Sequence, residues 1–280
     1  MLAPTVASES PLSFESEGLP LYGVYHAPAE ARDRPVVVHV HGLGVEQIST
    51  YRAEVLNARA LAAAGVPVLR FHARGHGDSA GNFADVTIET LTRDANAAAD
   101  EARRRSGAKH VVWLGVRFGA RVRRRRPARR DDAVGLAMWE PLHRGPEYFR
   151  AMLRGLLFSQ VAAGKKPEHS VDELLARVAA GTAVDVHGYY LHPAVFESLA
   201  DRSLGETLAT WSGPTLLVQI QSRARLTPDH AALLEAVQAR GARVQSHVVR
   251  EDLGWHFTQN PAWESPALVA ATREWVDALD

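Results

Sequence analysis

Residues 109–120 read KHVVWLGVRFGA. The run 109–114 has the length and apolar character of a buried strand. It enters Gly115-Val116-Arg117-Phe118-Gly119 without a spacer, and the small residue Ala120 follows. A strand running straight into a Gly-x-x-x-Gly turn, with a helix leaving it, is the layout of a sharp corner that presents its middle residue at the end of a sheet. Here the middle residue is Arg117, and the helix is expected over 118–126.

Working outward, the same grammar repeats. Residues 12–15 and 21–26 (LYGVYH) read as a hairpin around Gly18. The apolar runs 35–40 (PVVVHV), 66–71 (VPVLRF), 133–139 (AVGLAMW), 216–219 and 244–249 read as further strands. Helical spacing covers 51–64, stopping at Gly65, then the Ala-rich 88–105, and finally 262–279. Strands alternating with helices through short links imply a mostly parallel central sheet with helices on both faces, an α/β fold. The exception is 142–208, which has several helix-like segments (EYFRAMLRGLLFSQV, VDELLARVAAG, PAVFESLADRSL) and no strong strand. It reads as a helical cap (142–208) inserted into a core made of 1–141 and 209–280.

Composition narrows the function. Lys+Arg and Asp+Glu both total 32, so no global field draws in nucleic acid. The absence of cysteine excludes disulfides, thiolate metal sites and a cysteine nucleophile. The stretch MLAPTVASESPLSF does not read as a secretory leader, and no apolar span of about 18 residues occurs in the sequence. The expectation is a cytoplasmic protein acting on a small-molecule substrate, with no nucleic acid, membrane, cofactor or metal partner. Its near-zero net charge is compatible with a homodimer.

Several motifs carry a family resemblance. His41-Gly42-Leu43-Gly44 follows one buried strand, and Arg74-Gly75-His76-Gly77-Asp78-Ser79 follows the next. Then come the glycine turn, the inserted helical stretch, and Pro214-Thr215-Leu216-Leu217-Val218. In this order they resemble the α/β-hydrolase superfamily, especially its lidded members of the serine aminopeptidase and monoglyceride lipase kind. The stretch from Trp139-Glu140-Pro141 through EYFRAMLRG also resembles bacterial hydrolases associated with exosortase systems. The resemblance implies an α/β-hydrolase fold. It also implies an oxyanion hole from the His41-Gly42-Leu43 loop and the Phe118 N–H.

In such a protein a serine should stand at position 117. Arginine stays protonated and can serve as neither nucleophile nor base, though its planar fork can anchor a carboxylate. The acid expected after the strand at Pro214 is also missing: 219–228 read QIQSRARLTP, and Asp229 reads as a helix N-terminal residue. His256, two residues after Gly254, fits the family histidine. Glu140, at the end of the 133–139 strand, could orient His256 or pair with Arg117.

Three other signals are set aside. Gly77-Asp78-Ser79-Ala80-Gly81 matches G-x-S-x-G as text but follows the wrong strand; Asp78 reads as a brace for that turn. The basic run RVRRRRPARR (121–130) lacks interleaved aromatic residues and reads as a solvated face. His39 and His41 are read as facing opposite sides of the sheet, no H-E-x-x-H occurs, and the histidines give no metal site. The leading expectation is an atypical enzyme for a carboxylate- or carbonyl-containing substrate. In it Arg117, His256 and Glu140 act with the oxyanion donors and without a serine. A catalytically silent binding or scaffold protein comes second, and a conventional ester or amide serine hydrolase third.

Overall fold

The structure, a computed structural model, describes residues 7–30, 33–122, 132–199, 203–251, 255 and 262–279. The chain opens with the expected hairpin, β1 (Ser8–Ser16) and β2 (Leu19–Ala27), paired antiparallel. Its reversal uses Glu17 and Gly18 at φ +52° and +79°, as a two-residue hairpin turn requires. Next come β3 (Val36–Val40), helix α1 (Glu46–Ala63), β4 (Val68–Phe71), helix α2 (Ile88–Ser106), β5 (Val111–Val116) and β6 (Ala133–Trp139). Helices α3 (Gly145–Ala162) and α4 (Val171–Ala179), strands β7 (Val184–Val186) and β8 (Tyr189–Leu191), and helices α5 (Pro193–Ser198) and α6 (Leu204–Thr207) form one long excursion. Strand β9 (Thr215–Ile220), helix α7 (Pro228–Gln238), β10 (Val244–Val249) and helix α8 (Pro266–Asp277) close the chain.

Eight strands form one sheet in the order β1-β2-β4-β3-β5-β6-β9-β10. Its first two pairings, β1 with β2 and β2 with β4, are antiparallel, and the remainder are parallel. Every residue of β3, β4, β5 and β9 is buried, which is why these strands read as continuous apolar runs. Alternation along β3 divides the core. Val36, Val38 and Val40 join the α2 side, while Val37 joins Ala53, Leu61, Leu268 and Trp275 of α1 and α8.

Local chemistry sets the helix limits. Thr87 and Thr90 make a reciprocal capping box at the start of α2, three arginines occupy its last turn, and Gly107 closes it at φ +73°. Helix α1 starts five residues before the expected 51, because its first turns bury polar side chains (Glu46, Gln47, Ser49, Thr50) that give no apolar periodicity. The last helix starts at Pro266 rather than 262, with Ser265 as its cap. The helix expected over 118–126 is corrected within the described residues: 117–121 form a single 3₁₀ turn. The basic stretch 123–131 lies outside the described residues. Residues 142–208 also hold a hairpin that the sequence did not announce. Three-residue strands are too short for period-2 alternation to register. Their turn shows His187 and Gly188 at φ +54° and +90°, with Asp185 Oδ1 accepting the Gly188 N–H at 2.7 Å.

Candidate active site

The glycine turn after β5 is shaped by close contact. A Cβ on Gly119 would lie 2.2 Å from the Val40 carbonyl oxygen, and one on Gly115 would lie 2.4 Å from Ala120 Cα. Only glycine lets this turn press against the end of β3. Between them Arg117 sits at φ +51°, a left-handed conformation that a long side chain adopts only under constraint from its surroundings. From that turn the side chain reaches inward to Glu46, Tyr148 and Trp255.

The guanidinium does not face open solvent. Arg117 is 7% exposed, and its Nε donates to Glu46 Oε1 at 2.9 Å. Its Cζ lies 4.5 Å from the Trp255 ring centre and 5.8 Å from that of Tyr148, within cation–π range of both. Glu46 opens α1, so its carboxylate also meets the positive end of that helix. Burial pushes the Glu46 carboxyl above the usual carboxylate range, and the Arg117 charge and hydrogen bond pull it back. Gly42 fits the same corner: a Cβ there would come within 2.9 Å of Glu46 Cβ.

Glu140 ends β6 at φ +46°, and its Oε2 accepts the Ile220 N–H at 2.5 Å. Burial raises its pKa, opposed first by the charge of Arg117 and then by the Ile220 bond. Glu140 is therefore within electrostatic reach of Arg117, while Glu46 is the hydrogen-bonded partner. His256 lies outside the described residues. Leu43 and Phe118 are buried at the two turns from which oxyanion donors were expected. Both line a cavity of about 10 Å³, room for roughly one water.

The motif histidines have structural duties. His41, expected at the substrate, commits both ring nitrogens to backbone: Nδ1 lies 2.6 Å from the Gly42 carbonyl, and Nε2 accepts the Ala73 N–H at 3.1 Å. His76 does the same, with Nδ1 on the Arg74 carbonyl (3.0 Å) and Nε2 accepting the Gly44 N–H (3.0 Å). The two glycine-rich loops thus clasp each other through two neutral imidazoles. Burial holds His41 well below the ordinary histidine pKa and His76 at about 4. The reason given for separating His39 from His41 needs correcting, since residues two apart on an unbroken strand share a face. They part because β3 ends at Val40. His39 packs edge-on to Trp139, 5.3 Å between centroids, while His41 turns toward His76. No group of three or more His, Cys, Asp or Glu residues arranged to hold a metal occurs among the described residues.

Ser79 is likewise a brace. It accepts the Tyr22 N–H at 2.8 Å and donates to the His72 carbonyl at 2.6 Å. Asp78 braces the same turn through its backbone, whose N–H donates to His72 Nδ1 at 3.1 Å, while its exposed carboxylate lies 3.6 Å from that nitrogen. Asp229 lies in the first turn of α7, as expected, and its neighbour His230 is the unexpected residue. His230 is buried, with Nδ1 2.7 Å from the Thr227 hydroxyl and Nε2 3.2 Å from the Pro141 carbonyl. Burial drops its pKa to about 4. Reading the sequence missed Glu46, Tyr148 and His230. The one available signal was a charged residue at 46, immediately past a glycine-rich loop.

The excursion between β6 and β9 reaches this end of the sheet. Tyr148 lies 6.1 Å from Phe118, and Tyr189 lies 5.3 Å from Phe83 and 6.0 Å from His76, centroid to centroid. A small apolar gap between Leu43, Val45, Met152, Val186, Tyr189 and Leu191 separates it from the His41–Gly44 loop.

A family model described as serine aminopeptidase, S33 (Hydrolase_4) matches residues 31–225, well over half of the chain. The chain belongs to this family. Among solved structures, this family member is similar to Est1E from Butyrivibrio proteoclasticus, solved with ferulic acid bound (15% identity, TM-score 0.64, covering 95% of this chain and 96% of that one). It is similar to the esterase Pf2001 from Pyrococcus furiosus (15% identity, TM-score 0.64, covering 97% and 91%). A third is the hypothetical protein PA2218 from Pseudomonas aeruginosa (13% identity, TM-score 0.57, covering 100% and 96%). At such identities the likeness establishes the α/β-hydrolase fold alone. No curated protein sequence matches the chain.

Proposed function

We propose that this chain is an α/β-hydrolase-fold protein that has given up acyl transfer through a serine and acts as a binding protein for a small molecule. In this reading Arg117 stands where the nucleophile would, and residues 142–208 form a cap over a core of 1–141 and 209–280. The observation that carries it is the buried Arg117–Glu46 pair at the turn after β5. A guanidinium can neither attack a carbonyl nor accept a proton. A substrate carboxylate reaching Arg117 would have to displace Glu46, which already accepts from it at 2.9 Å. What remains for a ligand is the Leu43 and Phe118 backbone and the apolar gap beneath Tyr189.

A second reading has one specific support. Glu140 is held above its ordinary pKa by burial, within reach of the Arg117 charge. Together with His256 it could move protons for a carboxylate- or carbonyl-containing substrate, with the Leu43 and Phe118 N–H groups stabilising an oxyanion. One positioned acid or base contributes about 10²–10⁴-fold. A conventional serine hydrolase is the weakest reading, because the one G-x-S-x-G match, at Ser79, has its hydroxyl engaged on two backbone groups.

A fluorophosphonate probe separates these readings. The first two require an unlabelled protein; stoichiometric labelling would revive the third. Between the first two, turnover that is lost in His256→Ala and in Glu140→Gln, with unchanged melting temperatures, supports the enzyme. Saturable ligand binding without turnover supports the binding protein.

A further inference from the structure

Away from the turn after β5, a second polar pocket opens between β2, β4 and α1. Tyr22, Gln47, Tyr51, Glu54, Arg70 and His72 line it, and it measures about 240 Å³ out to its open mouth. Arg70 is its charged element. It is 7% exposed, and its Nε donates to His26 Nε2 at 3.1 Å, which fixes the plane of the guanidinium. Its Cζ lies 5.2 Å from the Tyr51 ring centre. Among the described residues no acceptor lies within hydrogen-bond or ion-pair distance of either terminal nitrogen of Arg70.

A buried charge is ordinarily paired, and here the neighbouring acids are turned elsewhere. Glu54 Oε1 accepts from the Thr50 hydroxyl at 2.6 Å, and its Oε2 faces His39 Nδ1 at 3.6 Å. Glu9 is bound to Arg59 on the surface. The Gln47 side chain, 5% exposed, also has no hydrogen-bond partner among the described residues. The imidazoles around the guanidinium are kept neutral: burial takes His26 to about 4 and lowers His72. Burial also lifts Glu54 to about 7, so this acid of the pocket is about half protonated at neutral pH and repels an incoming anion less than a full carboxylate would.

We infer that this pocket binds the carboxylate of a small ligand, which the two terminal nitrogens of Arg70 grip side by side, with Gln47 beside it and Tyr51 at the rim. The fork of a guanidinium matches two coplanar oxygens. The inner space is about 10 Å³, roughly the room of one water, so the inferred ligand is a small carboxylate head, and comparison with phosphate tests it against the bulkier tetrahedral anion. The pocket shares only the apolar Phe71 with the cavity beside Leu43 and Phe118, and no polar group with the Arg117 corner, so it stands whichever reading of that corner holds.

The test uses the full chain with sodium acetate as probe, against sodium chloride at equal ionic strength and against sodium phosphate. Acetate is expected to raise the melting temperature saturably, by about 2–4 °C at tenfold over its Kd. Trifluoroacetate should show a broadened ¹⁹F line that excess acetate sharpens. Arg70→Met abolishes both effects. Arg70→Lys keeps a point charge without the fork and weakens them tenfold or more. Tyr51→Ala, at the rim and so tolerated by the fold, weakens them severalfold and covers the case in which Arg70→Met fails to fold. The inference is overturned by no saturable response in the unaltered chain, by an equal response in the Arg70 and Tyr51 variants, or by a response to phosphate but not acetate.

Discussion

Replacing Arg117 by methionine tests the ion pair directly. The backbone strain at φ +51° is common to both side chains, so the difference reports the guanidinium. Without it, Glu46, fully buried, has to stay charged without Arg117 or take up a proton. Protonating a carboxylate of ordinary pKa, about 4.3, costs roughly 3.7 kcal/mol at pH 7 (about 1.36 for each of about 2.7 units). That sets a ceiling on the penalty and falls within the roughly 3–5 kcal/mol seen when a buried pair loses one partner. Loss of the cation–π contact with Trp255 adds about 0.5–1 kcal/mol. The expected fall in melting temperature at pH 7 is roughly 8–15 °C. The sign with pH follows from a raised folded-state pKa. In the variant the folded chain holds a proton on Glu46 that the unfolded chain releases above about pH 4.3, so stability drops as pH rises and recovers as it falls. At pH 5 the protonation cost shrinks to about 1 kcal/mol. Histidine titrations common to both proteins cancel in the difference. Adding Glu46→Leu should restore most of the loss, since apolar replacement of a whole buried pair is often neutral or stabilising. Urea unfolding of the four proteins of this cycle at pH 7 and pH 5 measures each quantity. If either single variant costs under about 1 kcal/mol at pH 7 and the cost does not change with pH, the ion pair is not what holds this corner, and the argument from it fails.

Three further outcomes are expected. His76, at about 4 in the folded chain against about 6.5 unfolded, supplies stability that is present above pH 6.5 and is lost as pH falls toward 4. By pH 5 the loss is about 2 kcal/mol, and His76→Gln should flatten that part of a urea-midpoint profile. Gly119→Ala forces a Cβ to 2.2 Å from the Val40 carbonyl oxygen, so it should lower the melting temperature far more than an exposed Gly→Ala such as Gly181→Ala. Ser79→Ala removes the partner of the Tyr22 N–H and should cost about 1–3 kcal/mol while leaving fluorophosphonate reactivity at its zero baseline; a reactive protein silenced by this substitution would make Ser79 a nucleophile after all.

Much of the fold was legible because burial on both faces writes itself into sequence. Strands β3, β5, β6 and β9 came through within a residue or two as unbroken apolar runs, and the Ala-rich helix expected over 88–105 is α2, Ile88–Ser106. Polar residues inside were what hid. The first turn of α1 is buried yet built of Glu, Gln, Ser and Thr, so pattern reading began the helix late and passed over Glu46. The short turn after β5 was read as a longer helix because nothing in RFGAR reveals that Gly119 is wedged against β3. The carboxylate paired with Arg117 was sought at Glu140, close along the chain and at a strand end. Instead, Glu46 bonds it from 71 positions away.

By itself the sequence determined the alternation of strand and helix, the position of the corner at Gly115–Gly119, and the fact that a cation sits at its apex. Those are consequences of side-chain type and spacing, which act locally. Which way that cation turns, what neutralises it, and that His41 and His76 lace two loops together were decided only by the packed chain. A charge taken out of water accepts whichever partner the folded layers bring within about 3 Å, and chain separation has no say in that distance.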